Sequence, residues 1–394
     1  MIDHTDERTV RLMLSRLIEP EDQLFTDLRE YAAPGELLRA ILEPGVSPPE
    51  RWPPGLAARL DYRRPGIALR IPHADPVADM AAGGAVGARF VIPGDADWPT
   101  ALDDLGTRAP FGVWIIGHFD IGAPAVSVVG ARRCTGYGRH AAGLLAADLA
   151  RANATIVSGA ALGIDGMAHR GALQVGGATA AVLACGIDRT YPASHHTLIQ
   201  TIGQRGAILA ELPPGTRPTR FRFLARNRLI AALGAGTVVV EAAERSGSLV
   251  TARLAAELGR AVFAVPGPVT ALESTGTNRL LCDGAIPAVD GRQVLAELGI
   301  EAPAPPPAPT PAPAAARAER SDTPSAEADL AARLDPRAVL VREALPGASS
   351  GRAAKVLTLA AETGLAPGEV LALLGQLAAI GKAVRTGGGW AMAR

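Results

Sequence analysis

The chain has 394 residues, 39 Lys+Arg against 39 Asp+Glu, and 48% hydrophobic residues; this predicts two or three domains with sizeable cores and excludes a mainly disordered chain. No apolar run reaches the ~20 residues of a membrane span, and the opening MIDHTDERTV lacks the apolar stretch of a signal peptide. Cys134, Cys185 and Cys282 are too few and too scattered for a disulfide framework or a zinc site, so the expectation is a cytoplasmic protein with no membrane contact.

Zero net charge hides an asymmetry. Residues 125–292 hold 17 Lys/Arg and 10 Asp/Glu, whereas residues 1–124 hold 12 and 19. A basic centre beside an acidic N-terminal part fits a polyanionic partner, or equally an uneven solvated surface. Lys355 and Lys382 are the only lysines, a bias in keeping with genomic base composition, although each Arg still carries a planar fork suited to phosphate.

In chain order, residues 1–85 read as short helices broken by Pro and Gly. Pro34-Gly35 opens one helix and Pro44-Gly45 closes it, as in a helix-hairpin-helix or SAM-like module, or in a simple packing cap. A connecting stretch runs from Phe90 through Trp98-Pro99 to Trp114-Ile115-Ile116-Gly117. Residues 86–300 then alternate short apolar runs with helical patterns. The runs fall at 126–129, 155–157, 179–183, 207–210, 238–241 and 261–265, and the helices at 138–150, 164–173, 198–202, 226–233 and 249–258. Runs apolar on both faces and separated by helices predict an α/β, Rossmann-like, mostly parallel sheet covered on both faces. Residues 301–329 form a Pro/Ala-rich linker, an extended spacer by composition. Residues 330–394 predict two helices around Thr363-Gly364-Leu365 and then a hairpin ending near Trp390, the winged-helix plan. The second of these helices places Val370, Leu373, Leu374 and Leu377 on one face but carries no Arg or Lys, so it lacks the side chains that read base edges.

Glycine-bearing turns end the predicted strands: Gly130-Ala131-Arg132, Ser158-Gly159, Ser246-Gly247-Ser248 and Pro266-Gly267. In a parallel sheet they share the carboxyl edge, where ligands bind, and free N–H groups at helix starts favour phosphate. The dinucleotide fingerprint and the Walker A motif are both absent, so neither a nucleotide cofactor nor ATP hydrolysis is expected. The stretch from Arg217 to Arg228 interleaves five arginines with Phe221 and Phe223, pairing phosphate donors with flat faces for base stacking. Burying both rings would drag arginines inward, which argues for an exposed segment. Asp165 and His169 share a helix face without a third metal ligand, and Ser246 and Ser248 have no base beside them. No catalytic set and no metal site is expected; those serines read as helix caps or phosphate ligands.

Taken together, Val128-Val129-Gly130-Ala131-Arg132, Ser158-Gly159 through Asp165, Tyr191-Pro192, Arg226-Asn227-Arg228, Ser246-Gly247-Ser248 and Gly276-Thr277-Asn278 resemble the DNA-processing protein A (DprA/Smf) family over about residues 90–290. The resemblance implies a non-enzymatic, usually dimeric protein that binds single-stranded DNA, protects it during natural transformation and helps load the RecA recombinase. It also implies phosphate at Gly130 and Arg132, a basic contact at Arg220 and a stacking ring at Phe223. Ala131, Ala193 and His195 depart from residues common in the family. A competing reading is a nucleoside-phosphate hydrolase of the lysine-decarboxylase-like type, whose signature only Pro266-Gly267 echoes.

Overall fold

The computed structural model describes residues 6–43, 51–301, 337–347, 353–363 and 365–393. It divides into two compact units, the larger of residues 1–191 and 195–300 and the smaller of residues 192–194 and 301–394. The Pro/Ala linker at 302–329, the helix-closing Pro44-Gly45 and Gly364 of the tail's turn lie outside the described residues.

The larger unit opens with α1 (Glu7–Leu17), α2 (Gln23–Leu28), α3 (Pro34–Leu42), α4 (Pro54–Ala68) and α5 (Pro76–Ala85). Pro34 occupies the first turn of α3, where an N–H would have no helical partner. Leu14, Leu24, Phe25, Leu37 and Leu38 close a core of their own between these helices. There follow β1 (Arg89–Val91), β2 (Val113–Gly117), β3 (Ala125–Val129), α6 (Gly136–Arg151), β4 (Thr155–Ser158), α7 (Ile164–Gln174), β5 (Thr179–Leu183), α8 (His196–Arg205), β6 (Ala207–Ala210), α9 (Arg220–Leu233), β7 (Gly236–Val239), α10 (Gly247–Glu257), β8 (Ala261–Ala264), α11 (Thr275–Cys282), β9 (Ile286–Pro287) and α12 (Gly291–Glu297).

The strands form one sheet in the order β1-β2-β6-β5-β4-β3-β7-β8-β9. From β6 to β9 every pairing is parallel, as the doubly apolar runs predict. Three details differ from the sequence reading, and one is that the helix expected at 226–233 begins six residues earlier, at Arg220. The stretch 114–117 is no connector: β2 pairs antiparallel with β6, Trp114 opposite Ala210, and β1 adds to its free side. That partner lies about ninety residues away in sequence, so no local signal marks it. The run expected at 238–241 begins two residues earlier and ends at Val239, which releases Glu241 into the loop at the carboxyl edge.

The smaller unit contains α13 (Ala338–Ala344), α14 (Val356–Thr363), α15 (Pro367–Ala379), β10 (Ala383–Thr386) and β11 (Gly389–Met392). β10 and β11 pair as an antiparallel hairpin, and Ala354 bridges to Trp390. Val370, Leu373, Leu374 and Leu377 are buried on one face of α15. The order of elements is that of a winged helix. Among the described residues no single helix is long and apolar enough to cross a membrane.

Two buried polar groups set conditions on stability. Arg228 is almost wholly enclosed, and its guanidinium meets Glu211 through two bonds of 2.8 and 2.6 Å. Its Nε also donates to the Arg108 carbonyl at 2.8 Å, with Glu21 at 3.2 Å. Removing one member of such a pair strands the other without water, a loss of roughly 3–5 kcal/mol. Arg228→Ala should therefore lower the denaturant midpoint sharply, and an unchanged midpoint would contradict the assigned role. His169 is also sealed, Nδ1 lying 2.7 Å from the Thr179 hydroxyl, and burial pushes its pKa down to about 3. Burial lowers His195 as well. Because the folded pKa lies below the unfolded ~6.5, the unfolded chain takes up protons first on acidification. The stabilisation is complete above about pH 6.5 and falls below it, by up to ~1.4 kcal/mol per pH unit for each histidine. Urea midpoints at pH 7 and pH 5 should show a fall, and His169→Asn should make it shallower.

Candidate nucleic-acid interface

From β3 the chain builds outward through β4, β5 and β6 on one side, then crosses to β7 and β8 on the other. The loops after β3 and β7 thus flank a topological switch point, where open α/β sheets place their ligands. The residues singled out in the sequence converge there, but they divide into a frame and a surface.

The frame begins with Gly130, where a Cβ would stand 2.6 Å from the Ile164 side chain. Ala131 is pinned through both backbone groups, its N–H donating to the Glu241 carbonyl at 2.7 Å and its C=O accepting from Ile164. The Glu241 carboxylate accepts from the Thr135 N–H at 2.9 Å and from the Thr135 hydroxyl at 2.5 Å, which fixes the start of α6. At the end of β4, the Ser158 hydroxyl is buried and donates to the Val128 carbonyl at 2.6 Å. Gly159 lets the Arg226 guanidinium come close, since a Cβ there would lie 2.5 Å from it. Arg226 donates to the carbonyls of Gly159 and Val182, and burial lowers its pKa to about 10. Asp165 accepts from the Gly159 N–H at 3.1 Å and the Ala161 N–H at 3.4 Å; burial raises its pKa.

The surface is a pair of adjoining depressions. The smaller, about 240 Å³, is lined by Gly130, Arg132, Asp165, Arg226, Asn227 and Ser248 among others. Asn227 donates to the Gly247 carbonyl at 3.3 Å, and Ser246 caps α10 by accepting from the Ser248 N–H at 3.3 Å. The larger, about 560 Å³, shares the Arg132, Phe223, Ser246 and Gly247 walls and adds Tyr191, Arg220 and Arg245. The N–H groups of Arg132, Arg133 and Gly247 donate to no described acceptor. Arg132, Arg133, Arg217, Arg220 and Arg245 are exposed, and none pairs with a described carboxylate, whereas neighbouring Arg222 is held by Glu19 at 2.7 Å. Of these, Arg132, Arg220 and Arg245 line the larger depression, and unpaired guanidinium groups there give its rim a positive potential.

Part of the expected site is corrected. Ser158, Arg226 and Arg228 belong to the frame, not the surface: all three are buried, and they donate to Val128, to Gly159 and Val182, and to Glu211 and Arg108. Phe221 is 49% exposed, but Phe223 is half-buried, with the Arg132 guanidinium 4.5 Å above its ring and Tyr191 5.4 Å away. Arg245 was not singled out in the sequence; its only signal is a basic residue directly before the Ser-Gly-Ser cap. Among the described residues no three potential metal ligands cluster.

Comparison with known proteins places this geometry. Residues 89–299 match the family described as DNA recombination-mediator protein A. A relative in Mycobacterium tuberculosis is 41% identical over 321 residues, covering 78% of each chain. Protein Smf of Escherichia coli is 43% identical over 210 residues, 53% of this chain and 56% of its own. An X-ray structure of DNA processing protein A from Streptococcus pneumoniae superposes with a TM-score of 0.56 at 32% identity, covering 70% of this chain and 96% of that one. With its sheet, its carboxyl-edge loops and more than half its length matched, the chain belongs to the DNA recombination-mediator protein A family.

Proposed function

We propose that the rim carrying Arg132, Arg220 and Arg245 binds the backbone of single-stranded DNA, and that the chain is a non-catalytic DNA-processing protein. In this reading it shields the strand in the cytoplasm, acts as a homodimer and passes the strand to RecA. The observation that carries it is the set of exposed arginines without carboxylate partners, beside free amides at the switch point. Exposed Phe221 supplies a face on which an unpaired base can stack. Gly130, Ala131 and Gly159 shape the loops, Arg226, Asn227 and Ser248 form the wall, and Ser246 and Gly247 present the amide end of α10.

The hydrolase alternative finds less support. The Pro266-Gly267 turn is held by the Asn278 amide through bonds of 3.3 and 3.1 Å, and no carboxylate hydrogen-bonds to it among the described residues. Ser246 and Ser248 hydrogen-bond to each other at 2.7 Å, and neither side chain meets a histidine or a carboxylate among the described residues.

Each phosphate neutralised on a single strand contributes about −0.7 to the slope of log K against log salt. For Arg132, Arg220 and Arg245 together the slope should be about −2, and Arg220→Ala should reduce its magnitude by about 0.7. Fluorescence anisotropy of a labelled oligonucleotide across a salt series reads this directly. A salt-independent affinity, or equal binding of duplex of the same length, would contradict the proposal.

A further inference from the structure

The first turn of α9 carries Arg220 and Arg222 and no acidic residue. Cations at a helix N-terminus oppose the positive end of the helix dipole, and α9 has no carboxylate of its own there to relieve them. The approach from Leu212 to Pro218 forms neither helix nor strand, so local propensity does little to hold the turn. The missing carboxylate arrives from the N-terminal helices. Glu19, in the loop between α1 and α2, accepts from Arg222 Nε at 3.0 Å and Nη2 at 2.7 Å. The remaining nitrogen of that guanidinium, Nη1, donates back to the Arg217 carbonyl at 2.6 Å. The last turn of α1 meets the same approach, where Arg16 donates to the Pro214 carbonyl at 3.0 Å. Arg222 therefore joins three pieces of chain, and Arg220 and Phe221, which lie between its two attachments, stay exposed.

We propose that Glu19 is a positioning residue for the DNA rim: through Arg222 it fixes the loop before α9 and the first turn of that helix, so that Arg220 and Phe221 face the strand. This rests on the single-stranded DNA reading above and gives the N-terminal helices a part in it without contact to DNA. Arg222 commits three of its five N–H donors to Glu19 and Arg217, including the edge that would otherwise meet a phosphate, so it acts as a staple and not as a ligand. Arg70 lies 3.6 Å from the Glu19 carboxylate and steadies it from the side of the N-terminal helices. A turn ordered before the strand arrives loses less freedom on binding.

Charge and position make opposite predictions for Glu19→Gln. Removing a carboxylate near a polyanion site favours binding by electrostatics alone, so a loss of affinity has to come from position. In the full-length protein the variant should bind a labelled single strand more weakly. Its salt slope should fall in magnitude by about 0.7, so that the ratio of affinities between 50 and 200 mM salt narrows about 2.6-fold. Added to Arg220→Ala it should cost nothing further, whereas independent sites would add. Hydrogen exchange of the free variant should quicken in the peptide spanning 217–223 and stay unchanged in β4, which marks the effect as local. Glu19→Asp, which keeps the charge on a shorter arm, should lose less. Glu30→Gln makes the same charge change at an exposed position among the N-terminal helices and should not weaken binding. Tighter binding by Glu19→Gln, with a slope steeper by about 0.7, would overturn the proposal, because Glu19 would then be masking Arg222 from the strand. Unchanged binding and unchanged exchange would overturn it as well. If the wild-type protein binds no single strand, the functional reading fails instead, and exchange at 217–223 in the free protein still tests the staple.

Discussion

Arg228 meets Glu211 edge to edge inside the larger unit, while Arg226, two residues earlier, grips the carbonyls of Gly159 and Val182. These bonds tie α9 to the ends of β4, β5 and β6 in an environment where water cannot substitute for a lost partner. The first turn of α9 projects past this anchored part and carries Arg220, Phe221 and Phe223 to the surface. The groove therefore inherits its geometry from a buried charge pair, and any change that frees α9 moves the rim with it. Glu19 extends the same restraint outward by holding Arg222 at 2.7 and 3.0 Å, so the N-terminal helices brace the binding segment as well as enclosing their own core.

A run of nine residues thus does two kinds of work with one residue type. Arg220 has neither a carboxylate nor a carbonyl partner and is open to solvent, Arg222 is neutralised by Glu19, and Arg226 and Arg228 are enclosed and bonded to carbonyls and a carboxylate of the protein. What divides them is the supply of acceptors, not their chemistry. The helix start supplies none, whereas three converging strand ends present carbonyls and a carboxylate. A guanidinium at the rim retains its donors for a ligand, and one in the wall fixes the loop on which that ligand would rest.

Much of this was legible in the residues. Runs such as Val126–Val129 and Thr179–Leu183, apolar on both faces, could only be buried strands, and the glycines after them had to lie on one edge. The antiparallel pair β1 and β2 was not legible, because Trp114 finds its partner in Ala210, far along the chain. Nor could sequence distinguish Arg228 from Arg220, since neither shows its acceptors locally. The charge asymmetry is likewise ambiguous until folded. Part of the acidic surplus of residues 1–124 is Glu19 and Glu21, and these pair with Arg222 and Arg228 of the basic centre. Some of the apparent polyanion signal is therefore internal ion pairing, and the exposed remainder is smaller than the count implied.

Hydrogen–deuterium exchange of the full-length protein, with and without a single-stranded oligonucleotide, addresses the rim most directly. The N–H groups of Arg132, Arg133 and Gly247 lack protein acceptors and should exchange fast in the free protein. Bound phosphates should slow exchange in the peptides spanning 130–135 and 245–249. Saturating oligonucleotide that protects another surface and leaves both peptides unchanged would contradict the account.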